Sequence, residues 1–158
     1  MEITTVYDSF FGNSKKIAQT IGKALGTQKN VTTVKVDQLE KNILNGIQKL
    51  VVGSPTRGFN PTPAIRSFLK NIPANGLTDI EVAAFDTRIP MGDKVPGFLR
   101  FMVKLFGYAD KPMMDLMVKK GGKEILPTEG FFVADSEGPL VEGEITRAEE
   151  WGKKIKAS

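Results

Sequence analysis

The stretch Ile3-Thr4-Thr5-Val6-Tyr7-Asp8-Ser9-Phe10-Phe11-Gly12-Asn13-Ser14 passes from an apolar, β-branched segment straight into a polar turn. Behind the turn, Ile17, Ala18, Ile21, Ala24 and Leu25 fall on one face of a helix. Strand, turn and amphipathic helix form the first half of a βαβ unit. The alternation continues along the chain. Segments 31–36, 50–53, 80–85 and 131–134 read as further strands, with 123–126 as a lead-in to the last. Ala64, Ile65, Phe68, Leu69 and Ile72 make a second helical stripe, and Ile145, Ala148, Trp151, Gly152 and Ile155 make a C-terminal one. A shorter helix is expected over 37–45 through Leu39, Ile43 and Leu44, and 96–120 reads as helical with a break near Gly107. Right-handed crossovers between such strands give an α/β fold, a parallel sheet with helices on both faces. Five strands suit the doubly wound order 2-1-3-4-5 or a related one, and spacing alone does not choose.

With 158 residues, 41% hydrophobic and 25% charged, the chain suits one domain over 1–158 with its own core. There is no Cys and no His. Disulfides, thiolate nucleophiles, Ser-His-Asp catalysis and nearly all transition-metal sites are thereby excluded. Redox work would fall to a bound organic cofactor. No apolar run is long enough to span a bilayer, and the opening residues carry no basic and apolar leader, so a cytoplasmic protein is expected. The formal charge is +4 and the pI about 9.3. The basic residues are dispersed and no nucleic-acid-binding motif is present, so no nucleic-acid partner is expected.

In an open parallel sheet, ligands bind at loops leaving the carboxyl ends of the strands. Three such loops are specialised. In 8–14, Ser9 and Ser14 offer hydroxyls, Asn13 an amide and Gly12 flexibility, beside the amides of a helix N-terminus, a set suited to an oxyanion. The loop is neither a Walker A motif nor a G-x-G-x-x-G fingerprint, and Asn13 could instead serve as an N-cap. In 53–63, a Gly- and Pro-rich connection carries Thr56 and Arg57 before Thr62-Pro63, an N-cap followed by proline at the first helical position. In 86–92, Asp86, Thr87 and Arg88 stand beside a strand end, where Asp86 could instead pair with Arg88.

On these residues the chain resembles the flavodoxin family. Ser9, Gly12, Asn13 and Ser14 match its FMN phosphate loop, while Phe11 replaces the middle hydroxyl. The stretch 53–59 is similar to the family's first flavin-flanking loop, and 85–88 stands where the second begins. Gly138-Pro139-Leu140, followed by an acidic amphipathic helix with Trp151, adds to the likeness, which covers almost the whole chain. The resemblance implies a flavodoxin-like three-layer sandwich of sheet order 2-1-3-4-5, with FMN as cofactor and no metal. Its contacts would be Ser9, Phe10, Phe11, Gly12, Asn13 and Ser14 at the phosphate, then Pro55, Thr56, Arg57, Gly58, Phe59, Asp86, Thr87 and Arg88 around the ring. Hydroxyls and amides would hold the phosphate, with Lys15 and Lys16 adding long-range attraction. The Arg57–Gly58 peptide would lie near flavin N5 and flip to accept a hydrogen bond from the one-electron-reduced ring. Gly58 tolerates the backbone change.

Three features depart from the family pattern. Arg57 and Arg88 stand where aromatic residues often sandwich the ring, so guanidinium stacking and a less negative flavin potential are expected, with Phe59 able to supply one face. The basic charge implies a partner surface of a different sign from that of the acidic family members. Residues 96–108, opened by Pro96 and closed by Tyr108, look like an insertion rich in large apolar side chains: a core helix, a lid, or a docking patch for a partner, quinone or membrane. The leading expectation is an electron carrier between redox partner proteins, a reductase or an acceptor enzyme, with no catalytic side chain. An FMN-dependent oxidoreductase of quinone-reducing or porphyrinogen-oxidising type is the alternative, and a non-redox binding module the third reading.

Overall fold

Every residue of strand β1 (Ile3–Tyr7) is buried, as expected of a parallel strand covered by helices on both faces. The computed structural model describes residues 2–92 and 95–158. In chain order β1 is followed by α1 (Asn13–Leu25), β2 (Val31–Lys35), β3 (Lys49–Pro55), α2 (Pro63–Asn71), β4 (Glu81–Arg88), α3 (Gly97–Phe106), α4 (Asp110–Lys119), β5 (Lys123–Glu124), β6 (Glu129–Phe132) and α5 (Glu144–Ala157). All strand pairs are parallel, in the order β2-β1-β3-β4, and the place beyond β4 is divided. β5 pairs with the start of β4 and β6 with its end. The order is the doubly wound 2-1-3-4-5, with its switch point between β1 and β3.

Period-two alternation sorts the strand side chains into two cores. Val6, Leu50, Val52, Val82 and Ala84 face Ile65 and Leu69 of α2 and Met113 and Met117 of α4. Ile3, Tyr7, Val51, Ala83 and Phe85 face Ile17 and Ile21 of α1 and Ala148, Trp151 and Ile155 of α5. Gly152 lets α1 and α5 approach closely, since a Cβ there would lie 2.8 Å from that of Ala24. At the amino end of the sheet, buried Lys49 donates from Nζ to the carbonyls of Ile155 (2.7 Å) and Ser158 (2.8 Å) and pairs with Glu81. This ties β3, β4 and α5 together far from the ligand-binding edge.

Two expectations are corrected. Residues 37–45 form no α-helix: a 3-10 turn (Val36–Gln38) leads into irregular turns, from which Leu39 and Leu44 still pack against the core. The strands also reach further toward the ligand edge than their apolar residues suggest. β3 takes in Ser54 and Pro55, and β4 takes in Asp86, Thr87 and Arg88, so those residues are strand and not loop. The break near Gly107 lies where expected, between α3 and α4.

Candidate functional site

At the carboxyl end of the sheet, the β1–α1 loop, the end of β3, the end of β4 and the segment after β6 surround one cleft of about 520 Å³, open solvent at its mouth included. Ser9, Phe10, Phe11, Asn13, Ser14, Pro55, Thr56, Arg57, Thr87 and Arg88 line it, together with Ile89, Val133 and Ser136. Gly12, Gly58, Phe59 and Asp86 do not. Ile89 continues a segment already marked by its strand-end position. Val133 and Ser136 follow the last strand, where the same strand-end rule points.

The first loop is shaped by its own hydrogen bonds. The Gly12 N–H donates to Ser9 Oγ at 3.0 Å, and Gly12, with φ +92°, takes the N-cap position of α1. Asn13 is therefore the first helical residue and not the cap. Its Nδ2 donates to the Glu137 carbonyl at 3.1 Å, and Gly138 lies so close that a Cβ would meet the Asn13 amide at 2.7 Å. The Asn13 side chain thus fastens this loop to the segment after β6, and its amide keeps a second hydrogen at the cleft it lines. Ser14 Oγ and Thr87 Oγ1 share a buried hydrogen bond of 2.8 Å that links the loop to β4. Thr56 Oγ1 accepts from the Ala109 N–H at 3.1 Å.

A hydroxyl carries one hydrogen and two acceptor sites. Ser9 and Thr56 are used as acceptors, so each keeps a hydrogen to donate, and the Ser14–Thr87 pair keeps one between them. The first turn of α1 contains no acidic residue and presents amides that have no intrahelical acceptor. The cleft is therefore rich in donors and has a positive dipole end at one side. An acceptor-only group such as a phosphate matches this set, and Pro55, Ile89, Val133, Phe10 and Phe11 provide apolar surface for a planar ring.

The two arginines differ. Arg57 is exposed and lies over the Phe10 ring, 5.0 Å from its centroid, at the cleft. Arg88 is committed elsewhere. Its Nε and Nη2 donate to the two Asp86 carboxylate oxygens at 2.7 and 2.6 Å, and Nη2 also pairs with Asp110 at 3.2 Å. The Tyr108 ring covers the guanidinium at 3.6 Å, and Gly130 leaves so little space that a Cβ there would lie 2.3 Å from Arg88 Cζ. No guanidinium face remains for a flavin, so the stacking expected of Arg88 is corrected to a structural ion pair. Phe59, which does not line the cleft, packs its ring on Phe106 of α3 at 5.8 Å. The connection itself is a tight turn, with Arg57 and Asn60 exchanging backbone hydrogen bonds (2.8 and 3.0 Å) and both central residues at positive φ. The Arg57 carbonyl is held by the Asn60 N–H, so the Arg57–Gly58 peptide is pinned. The central peptide is Gly58–Phe59, whose carbonyl is held by Asn60 Nδ2 at 2.9 Å.

Burial pushes the Asp86 carboxyl up to about 6, against the opposing pull of its hydrogen bonds and ion pair with Arg88. A raised native value means that the folded state holds the proton more tightly. The resulting stabilisation is complete below the unfolded carboxyl range and is lost as pH rises through about 6. Between pH 7 and 5, wild type should therefore gain on the order of 1 kcal/mol relative to Asp86→Asn. Urea denaturation of both proteins at the two pH values measures this. An identical change in both would overturn the assignment.

The donor-rich cleft lies at the switch point of a doubly wound parallel sheet, the place where such folds hold their ligands. The sequence profile of the flavodoxin domain matches residues 5–94, and the chain belongs to that family. Similar solved structures include a flavodoxin from the domain Archaea, with 18% identity and a TM-score of 0.77, covering 99% of this chain and 97% of that one. Oxidised flavodoxin 1 from Bacillus cereus has 14% identity and a TM-score of 0.75, covering 100% and 99%. Rubredoxin oxygen:oxidoreductase from Desulfovibrio gigas has 14% identity and a TM-score of 0.72, covering 99% of this chain and 35% of that one. At these identities the likeness is one of fold. No curated protein matches the chain in sequence. No described helix is long and apolar enough to cross a membrane.

Proposed function

We propose that the cleft binds FMN and that the protein is a cytoplasmic electron carrier between redox partner proteins, without a catalytic side chain. The observation that carries the reading is the convergence of spare hydroxyl hydrogens from Ser9, Thr56 and the Ser14–Thr87 pair with the first turn of α1. When bound, FMN would supply the capacity to take up and release electrons singly. Ser9, Ser14, Thr87 and the α1 amides would hold its phosphate, and Pro55, Ile89 and Val133 would shield its ring from water. Arg57, exposed beside Phe10, would place a positive charge at the mouth, where an acidic partner surface would dock.

A second reading, an FMN-dependent oxidoreductase of quinone-reducing or porphyrinogen-oxidising type, draws support from the exposed apolar residues of α3 beside the cleft. Purified protein should take up FMN in a one-to-one ratio, seen as quenching of flavin fluorescence, and absence of uptake would overturn both readings. Negligible NAD(P)H oxidation with a soluble quinone would support the carrier, and sustained turnover would favour the oxidoreductase.

A further inference from the structure

Helix α3 (Gly97–Phe106) buries none of its ten residues. Its sequence, Gly-Phe-Leu-Arg-Phe-Met-Val-Lys-Leu-Phe, is more apolar than that of the other helices. On a helical projection Phe98, Phe101 and Leu105 share one face, and they are 73, 60 and 62% exposed. Half-buried Val103 lies on the opposite side, toward the protein, and half-buried Met102 lies at the flank between the two. Lys104 is exposed at the border of the apolar face, and residues 95–109 contain Arg100 and Lys104 but no carboxylate. The helix therefore forms a protruding apolar ridge edged with positive charge. The Phe106–Phe59 contact joins its end to the loop at the cleft, and Phe10, Phe11 and Ile89 at the cleft are also largely exposed.

We propose that α3 is an interfacial anchor that seats the protein on an anionic lipid surface, with Phe98, Phe101 and Leu105 entering the acyl boundary. The charge pattern selects this occupant. A short amphipathic helix with aromatic residues on one face, cations at its border and no acidic residue is the form that lies in a headgroup layer. The lysine stem can run along the apolar surface while its ammonium meets lipid phosphates. A helix of ten residues is too short to span the bilayer and rests on it. Seated in this way, α3 brings the rim of the cleft to the membrane surface, within reach of apolar molecules dissolved there. The anchor depends on no cofactor and can fail or stand independently of the flavin reading.

Flotation of the purified protein with vesicles of phosphatidylcholine and phosphatidylglycerol at about 3:1 tests the anchor. The expected result is co-flotation at low salt, weaker binding to phosphatidylcholine alone and release as salt is raised. Phe98→Ser with Phe101→Ser should reduce vesicle binding by at least about tenfold, and Lys104→Glu should reduce it on the anionic vesicles only. Because these side chains are exposed, the melting temperature should not fall. If the double variant melts early, Leu105→Ser alone serves the same purpose. Failure to float with either vesicle, or flotation unchanged in the apolar variants, overturns the proposal. So does light scattering that shows a dimer dissolved by the same substitutions, since a second copy would then cover the ridge.

Discussion

Ser9→Asp should lower FMN affinity by at least about a hundredfold while riboflavin binding changes by no more than about twofold. Ser9 Oγ accepts the Gly12 N–H, and an aspartate carboxylate accepts the same bond three residues on, so the loop keeps its shape. What changes is charge. Two unit negative charges about 4 Å apart repel by about 4 kcal/mol at an effective dielectric of about 20. A hundredfold loss, about 2.7 kcal/mol, still allows the carboxylate to turn partly toward water. Riboflavin has no phosphate and would feel only the ring contacts. Fluorescence titration of both ligands against wild type and variant gives the comparison. An equal loss for the two would place the phosphate somewhere other than the β1–α1 loop.

Phe85→Ala should remove about 3–5 kcal/mol of stability, a large share of the 5–15 kcal/mol available to a typical domain. Phe85 is fully buried, with Phe131 at 5.9 Å and Trp151 at 6.2 Å, both edge-to-face. Phe131 and Trp151 also meet edge-to-face at 6.1 Å, so the three rings brace the centre of the sheet, its last strand and α5. Gly53 is part of the same arrangement, since a Cβ there would come within 2.0 Å of the Phe85 ring. Urea denaturation followed by Trp151 fluorescence reads the loss. A change below about 1 kcal/mol would mean that the surrounding side chains collapse into the space, against the close packing described.

The sheet and its helices were legible because buried parallel strands and amphipathic helices write their periods directly into apolar positions. Residues 37–45 misled because Leu39, Ile43 and Leu44 fit a helical stripe. A segment that short has little helical stability of its own, and Leu39 and Leu44 reach the core from turns. The ends of β3 and β4 were hidden for the opposite reason. Ser54, Asp86, Thr87 and Arg88 are polar residues in strand conformation, paired with partners that an apolar pattern does not record.

At the site, the loop positions could be read from the strand order, but the commitments of the side chains could not. Asp86 was foreseeable as an alternative partner for Arg88, two residues along the same strand face. Asp110, Tyr108 and Gly130, which complete the enclosure of Arg88, come from other elements. The Asn13–Glu137 contact spans 124 residues and has no local signature either.

Because the outer column of the sheet is split into β5 with two residues and β6 with four, it offers no long unpaired ladder along which another chain could extend the sheet. The opposite edge, β2, reads Val-Thr-Thr-Val and ends in Lys35, a charged residue on the exposed edge. Lateral recruitment of strands is thus discouraged on both flanks, which favours colloidal stability at high concentration. Crowding would then have little purchase on the sheet, and self-association would be confined to surfaces formed by side chains.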